Sequence, residues 1–198
     1  MTAWRREQQR DRFFRQAKRE QYRARSAYKL LELNRRFGLF RRGDAVLDLG
    51  AAPGSWSQVA AQVVGPSGRV VAVDLEPIEP LEGVVTLRAD VLDPAALIAM
   101  RAALGRPADA VISDVSPRVS GNRLADHARS VELALGSLVV AAELSRPGAS
   151  FAVKLFRGED FDGFVERVRR AYRQARVAVP EATRPESREA YVLGLDRF

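Results

Sequence analysis

Short apolar runs of strand length alternate with amphipathic stretches along most of this 198-residue chain. "AVLDLG", "RVVAVDL", "VVTLRAD", "ADAVISDVSP" and "SFAVKLF" predict five buried strands. Between them lie helical patterns: "SAYKLLELNRRFGLF", with Leu30, Leu33 and Phe37 on one face, then "SWSQVAAQVVG" and "PAALIAMRAALG", the last opened by Pro94 behind Asp93. A long helix over roughly 124–145 is expected to stop at "RPGAS", and "EDFDGFVERVRRAYRQ" predicts another with an exposed basic face. "RVAVPEAT" and "EAYVLGLDRF" complete the count as two final strands. Apolar strands alternating with helices imply an α/β fold, a mostly parallel seven-stranded sheet with helices on both faces. No repeat or low-complexity linker interrupts it.

Composition narrows the chemistry. Hydrophobic residues make up 46% of the chain, enough for a sizeable core, and the net charge of +7 with a pI near 10.5 points to a polyanionic partner. There is no cysteine, which excludes disulfides, thiolate metal sites and a cysteine nucleophile. The single His127 argues against a histidine metal centre, so no metal is expected. No apolar stretch reaches membrane-spanning length and no secretory leader opens the sequence, so a cytoplasmic protein without a membrane partner is expected.

Residues 1–25 carry nine basic residues against three acidic ones, with Trp4, Phe13, Phe14 and Tyr22 interleaved. This segment reads as a basic N-terminal helical arm, either packed on the body by its aromatics or lying along a phosphate backbone. Residues 26–198 form the remaining domain, and a monomer suffices for it.

In such sheets ligands bind beyond the carboxyl ends of the strands, at the topological switch point. Asp48, Asp74, Asp90 and Asp114 all fall at strand ends. In "DLGAAPGSW", Gly50 and Gly54 permit a tight turn and close approach of backbone to a ligand. Asp74 lies about 20 residues beyond that turn, where an acid takes ribose hydroxyls, and Asp90 is placed to meet an adenine amine. A nicotinamide-dependent reductase is the competing reading. Its G-x-G-x-x-G pattern lacks the middle glycine here, and Pro53 stands where phosphate-binding N–H groups belong. An adenosine-bearing ligand without phosphates fits better.

Together "RARSAYKL", "DLGAAPGSWSQ", "AVDLEP", "ISDVSP", "FAVKLF" and "SREAYVL" resemble, in order and spacing, the FtsJ-like RNA ribose 2′-O-methyltransferases. The likeness runs from about residue 12 to the C-terminus. It implies a Rossmann-like methyltransferase fold, S-adenosylmethionine as cofactor and RNA as substrate. It further implies that Gly50, Gly54 and Trp56 approach the cofactor, that Asp74 binds its ribose, Asp90 its adenine, and that Asp114 lies near its methionine end. The catalytic quartet would be Lys29, Asp114, Lys154 and Glu189. A uridine of large-subunit (23S) ribosomal RNA is the implied acceptor, with the tRNA anticodon loop as the alternative and a non-catalytic RNA-binding protein of the same fold as a different class.

The basic residues carry one more signal. Of 32, 29 are arginine, and Lys29 and Lys154 are two of only three lysines. Deprotonating a ribose hydroxyl needs a base, and arginine stays protonated in proteins. Lysine can serve when burial or a neighbouring cation lowers its pKa. Lys154 would deprotonate or orient the hydroxyl, with Lys29 as a second cation and Asp114 and Glu189 orienting the amines. Amine methylation of a base is disfavoured, since "SDVSP" lacks an aromatic to stack one.

Overall fold

The computed structural model describes residues 12–117 and 120–198. Seven strands, β1 (Ala45–Leu49), β2 (Arg69–Asp74), β3 (Val84–Arg88), β4 (Ala108–Ser113), β5 (Ser145–Phe156), β6 (Tyr172–Ala178) and β7 (Glu189–Arg197), form one sheet in the order β3-β2-β1-β4-β5-β7-β6. Strands β1 to β5 pair in parallel, and β7 runs antiparallel to both β5 and β6. The expected Rossmann-like methyltransferase class is borne out. Chain order reverses between β1 and β4, which makes that junction the switch point.

Helices α1 (Arg12–Arg19), α2 (Ala27–Phe37), α3 (Ser55–Val64), α4 (Ala96–Leu104), α5 (Arg123–Leu144) and α6 (Phe161–Ala171) complete the fold. The central strands are buried on both faces, and strand alternation sends their side chains into two cores. Leu47, Val111, Phe151, Val153 and Val192 pack under α4, α5 and α6. Val46, Ile112, Ala152, Tyr191 and Leu193 pack under α2 and α3 with Leu30, Leu33 and Trp56. At α2 the expected face holds: Leu30 and Leu33 are fully buried, while Phe37 packs at the margin.

Three boundaries depart from the sequence pattern. Helix α4 starts at Ala96, two residues after Pro94, because Asp93 bends back to accept the Ala95 N–H at 2.9 Å. Strand β5 begins at Ser145, so the expected stop at "RPGAS" is an irregular strand extension; its register shifts between Ala108 and Ala110, and Arg146 is anchored on Asp109 at 2.6 Å. Strand β6 begins at Tyr172 and takes over the end of the expected helix. The Tyr172 ring lies flush on Gly194 and stacks on Phe151 with centroids 5.9 Å apart, which draws the chain into the sheet.

Of the arm, Trp4, Arg5, Arg6 and Arg10 lie outside the described residues. The described part of the arm, from Arg12 onward, is docked: Phe13 meets Tyr28 with centroids 5.5 Å apart, Tyr22 donates to Gln62 at 2.8 Å, and Arg12 pairs with Glu181. Among the described residues no helix is long and apolar enough to cross a membrane.

Candidate active site

A cleft of about 610 Å³ opens over the carboxyl ends of β1, β2, β3 and β4, its wall including Gly50, Ala52, Asp74, Asp90, Asp114 and Leu133. Its floor depends on Gly50, at φ 70°, where a Cβ would fall 2.5 Å from the Val115 Cα. Only glycine lets the loop after β1 lie against the loop after β4.

The acids are set by backbone. Asp74 accepts N–H bonds from Ala52 and Glu76, both at 2.9 Å, and Asp90 accepts one from Leu92 at 2.9 Å. Asp48 differs, being fully buried beneath the cleft. Ser57 donates to its Oδ2 at 2.6 Å, while Oδ1 has no hydrogen-bond partner among the described residues. Burial, reinforced by the charges of Asp114 and Asp74 and opposed by the Ser57 bond, raises its pKa to about 8.

Beside the cleft stand two ion pairs. Lys154 is 8% exposed; its Nζ donates to the Asp114 carbonyl at 2.7 Å and lies 3.2 Å from Asp114 Oδ1. Lys29, equally buried on α2, pairs with Glu189 at the start of β7. Buried charges persist only when partnered, and both lysines are. Lys18 is exposed on α1.

Tyr191 links the pairs. It sits opposite Lys154 in the β5–β7 register, donates from its hydroxyl to Asp114 Oδ1 at 2.7 Å, and its ring lies 5.8 Å from Lys29 Nζ. Burial first, then the charges of Asp114 and Glu189 and the bond to Asp114, push its pKa well above the usual phenol value. It therefore stays protonated, and a donor, near neutral pH. Sequence reading passed over Tyr191 because an aromatic in a strand reads as core; its place two residues after Glu189, hence on the same strand face, was the available signal.

Gly54 and Trp56 were expected at the cofactor, and neither lines the cleft. The first turn of α3 faces α2 instead. Trp56 is 2% exposed, donates from Nε1 to the Ser26 carbonyl at 2.9 Å, and stacks on Tyr191 with centroids 5.6 Å apart. Gly54, at φ 107°, lies under the Arg23 guanidinium, which donates to the carbonyls of Pro53, Glu79 and Pro80. Ser26 and Ser55 join their hydroxyls at 2.8 Å. These contacts fasten α2, and so Lys29, to the sheet.

The first turn of α5 holds the rim. Asp126 accepts the Ser120 N–H and hydroxyl, both at 2.8 Å, and fixes the loop leading away from Asp114. His127 is buried; its Nδ1 lies 3.1 Å from the Phe156 carbonyl and its Nε2 accepts the Asp160 N–H at 3.1 Å. One turn of helix thus secures the loops after both β4 and β5.

A sheet of this order, with an acid-rimmed cleft at its switch point, fits a Rossmann-like methyltransferase. The chain belongs to the FtsJ-like methyltransferase family, whose model matches residues 22–197. It is 50% identical over 186 residues to the ribosomal RNA large subunit methyltransferase E of Methanothrix thermoacetophila, covering 94% of this chain and 72% of that protein. Proteins of the same name from Archaeoglobus fulgidus (45% identical, 93% and 94% covered) and Nitrosomonas europaea (42%, 99% and 96%) are also similar. Among solved structures, a Plasmodium falciparum ribosomal RNA methyltransferase superposes with a TM-score of 0.77 at 23% identity, covering 89% of this chain and 98% of that one. Fibrillarin of Aeropyrum pernix shares the fold with a TM-score of 0.61 at 15% identity, covering 86% and 76%. The protein is an S-adenosylmethionine-dependent methyltransferase. The cleft fits that cofactor, offering carboxylates at three successive strand ends and a glycine floor that a Cβ would close.

Proposed function

We propose that the protein methylates a ribose 2′-hydroxyl of RNA, and that the RNA is that of the large ribosomal subunit. The observation that carries the chemistry is the Lys154–Asp114 pair at the edge of the cleft. The substrate follows from the relatives' names and the net charge of +7. What favours this reading over the two others is that the similar proteins named above are named for ribosomal RNA, and that two buried lysines, each paired with a carboxylate, suit an active site better than a binding surface.

When bound, the cofactor supplies a methyl group on a positively charged sulfur. In this reading Asp74 takes its ribose hydroxyls, Asp90 its adenine amine, and Asp114 faces its methionine end. Lys154 Nζ donates to the Asp114 carbonyl and forms an ion pair with Oδ1. In this reading another direction on Nζ meets the acceptor oxygen, and in the neutral amine a lone pair there takes the hydroxyl proton. Tyr191 and Lys154 together fix Asp114, and Glu189 holds Lys29 against the Tyr191 ring. The arm of residues 1–25 extends the RNA-binding surface.

Lys154→Arg keeps the charge but cannot act as a base. We expect it to bind S-adenosylmethionine as wild type does and to transfer methyl at least a hundredfold more slowly, measured with labelled cofactor and ribosomal RNA. Near-wild-type transfer by this variant would remove Lys154 as base. Label found on a base or on tRNA, not on a ribose of ribosomal RNA, would overturn the substrate assignment.

A further inference from the structure

At the far end of the β5–β7 ladder two arginines face each other. Phe156 pairs with Glu189, and the next step places Arg157 opposite Arg188, with the Arg157 N–H donating to the Arg188 carbonyl at 2.8 Å. Paired residues in an antiparallel ladder project to the same face, here the face of Leu155 and Ala190, which packs against α6. Both arginines are exposed, and among the described residues neither has a carboxylate within ion-pair distance. Like charges opposite each other in a sheet repel, and an anion bound between them relieves that repulsion.

The loop is held ready. The Arg157 guanidinium lies 5.4 Å over the Phe161 ring, which leaves its N–H edges outward. Gly158 lies so close to the His127 imidazole that a Cβ would fall 2.5 Å from Nδ1. The same imidazole engages the Phe156 carbonyl and the Asp160 N–H on either side, and the Asp160 carboxylate is turned toward it at 3.4 Å. Arg157 is therefore presented from a fixed backbone, three residues or about 10 Å along the strand from Lys154.

We propose that Arg157 and Arg188 form a phosphate clamp that grips the RNA backbone beside the acceptor ribose, on the opposite sheet face from Lys29 and the arm. Guanidinium forks match phosphate oxygens in pairs, and two on adjacent strands each take one of two neighbouring backbone phosphates. The RNA strand then crosses the carboxyl rim of the sheet from the α2 side to the α6 side. The acceptor sits over the rim between them. This inference rests on the reading of the chain as an RNA ribose methyltransferase.

The test compares R157A/R188A with R41A/R42A, which removes the same charge from the exposed loop before β1 at the opposite end of the strands. Methyl transfer to ribosomal RNA and RNA binding are measured between 50 and 200 mM salt, roughly the range where phosphate contacts dominate. The clamp variant should raise KM for RNA at least tenfold with kcat within about twofold, keep S-adenosylmethionine affinity, and lower the salt slope by about 1.4, the value for two single-strand phosphate contacts. The control should leave KM and slope near wild type. Equal KM and slope for the two variants would overturn the clamp, as would a fall in kcat with KM unchanged. Should R157A/R188A melt early, R157A alone is read, with a slope change of about 0.7 expected. Failure of the RNA reading itself shows separately, as wild-type protein that transfers no methyl to RNA.

Discussion

At the scale of single residues, the site was legible where chemistry makes a residue type rare. In a chain with 29 arginines, two of only three lysines prove to be buried and paired. Tyr191 was not legible, because an aromatic in a strand serves packing far more often than chemistry. Trp56, expected at the cofactor, is turned inward and stacks on Tyr191. Tyr191→Phe keeps that packing and removes one donor to Asp114. Losing a hydrogen bond to a charged group costs roughly 1.5–3 kcal/mol. We expect kcat to fall by about tenfold to a hundredfold with cofactor affinity unchanged, checked by single-turnover transfer and by calorimetry; an unchanged kcat would confine Tyr191 to packing.

At the scale of elements, existence and type followed from periodicity, while boundaries followed from contacts that no local window contains. Asp93 delays α4 through a turn bond to its own backbone. Strand β6 starts early because Tyr172 has a slot on Gly194, twenty-two positions further along the chain, a partnership visible only once β6 and β7 are side by side. Gly194→Ala places a Cβ 2.5 Å from the Tyr172 ring, which must then shift against Phe151. Overpacking of this kind costs about 1–3 kcal/mol. For a chain of this length that lowers Tm by about 2–12 °C, measurable by calorimetry, with the cleft residues undisturbed. A Tm equal to wild type would mean that the slot is not what sets the boundary.

At the scale of the whole molecule, alternation of strands and helices specified the layers, and the resemblance specified the class. The antiparallel β7 was legible in neither, although its consequence is large: by returning beside β5 it brings Glu189 and Tyr191 to Lys154. Global stability should also carry the mark of Asp48. Its folded pKa of about 8 exceeds the unfolded value of about 3.9, so the folded protein holds a proton there that the unfolded chain releases. The stability linked to that proton is complete below about pH 4, declines as pH rises, and is gone above about pH 8. Asp48→Asn cannot ionise. Urea titrations from pH 5 to 8 should show a shallower decline for this variant than for wild type, and parallel curves would show that Asp48 is charged in the fold.

The first turn of α5 has a consequence for how substrate enters. Asp126 and His127, adjacent in one turn of α5, hold Ser120 after β4 and Asp160 after β5 to the same helix. For the RNA substrate proposed above, these ties favour a rim that keeps its shape while the nucleic acid adapts to it. A ribose within a paired helix is flanked on both sides by its neighbours, whereas unpaired segments splay at small cost. In the proposed reading, an acceptor ribose in an unpaired segment is therefore reached more readily than one within a helix, and methylation follows the folding state of the RNA.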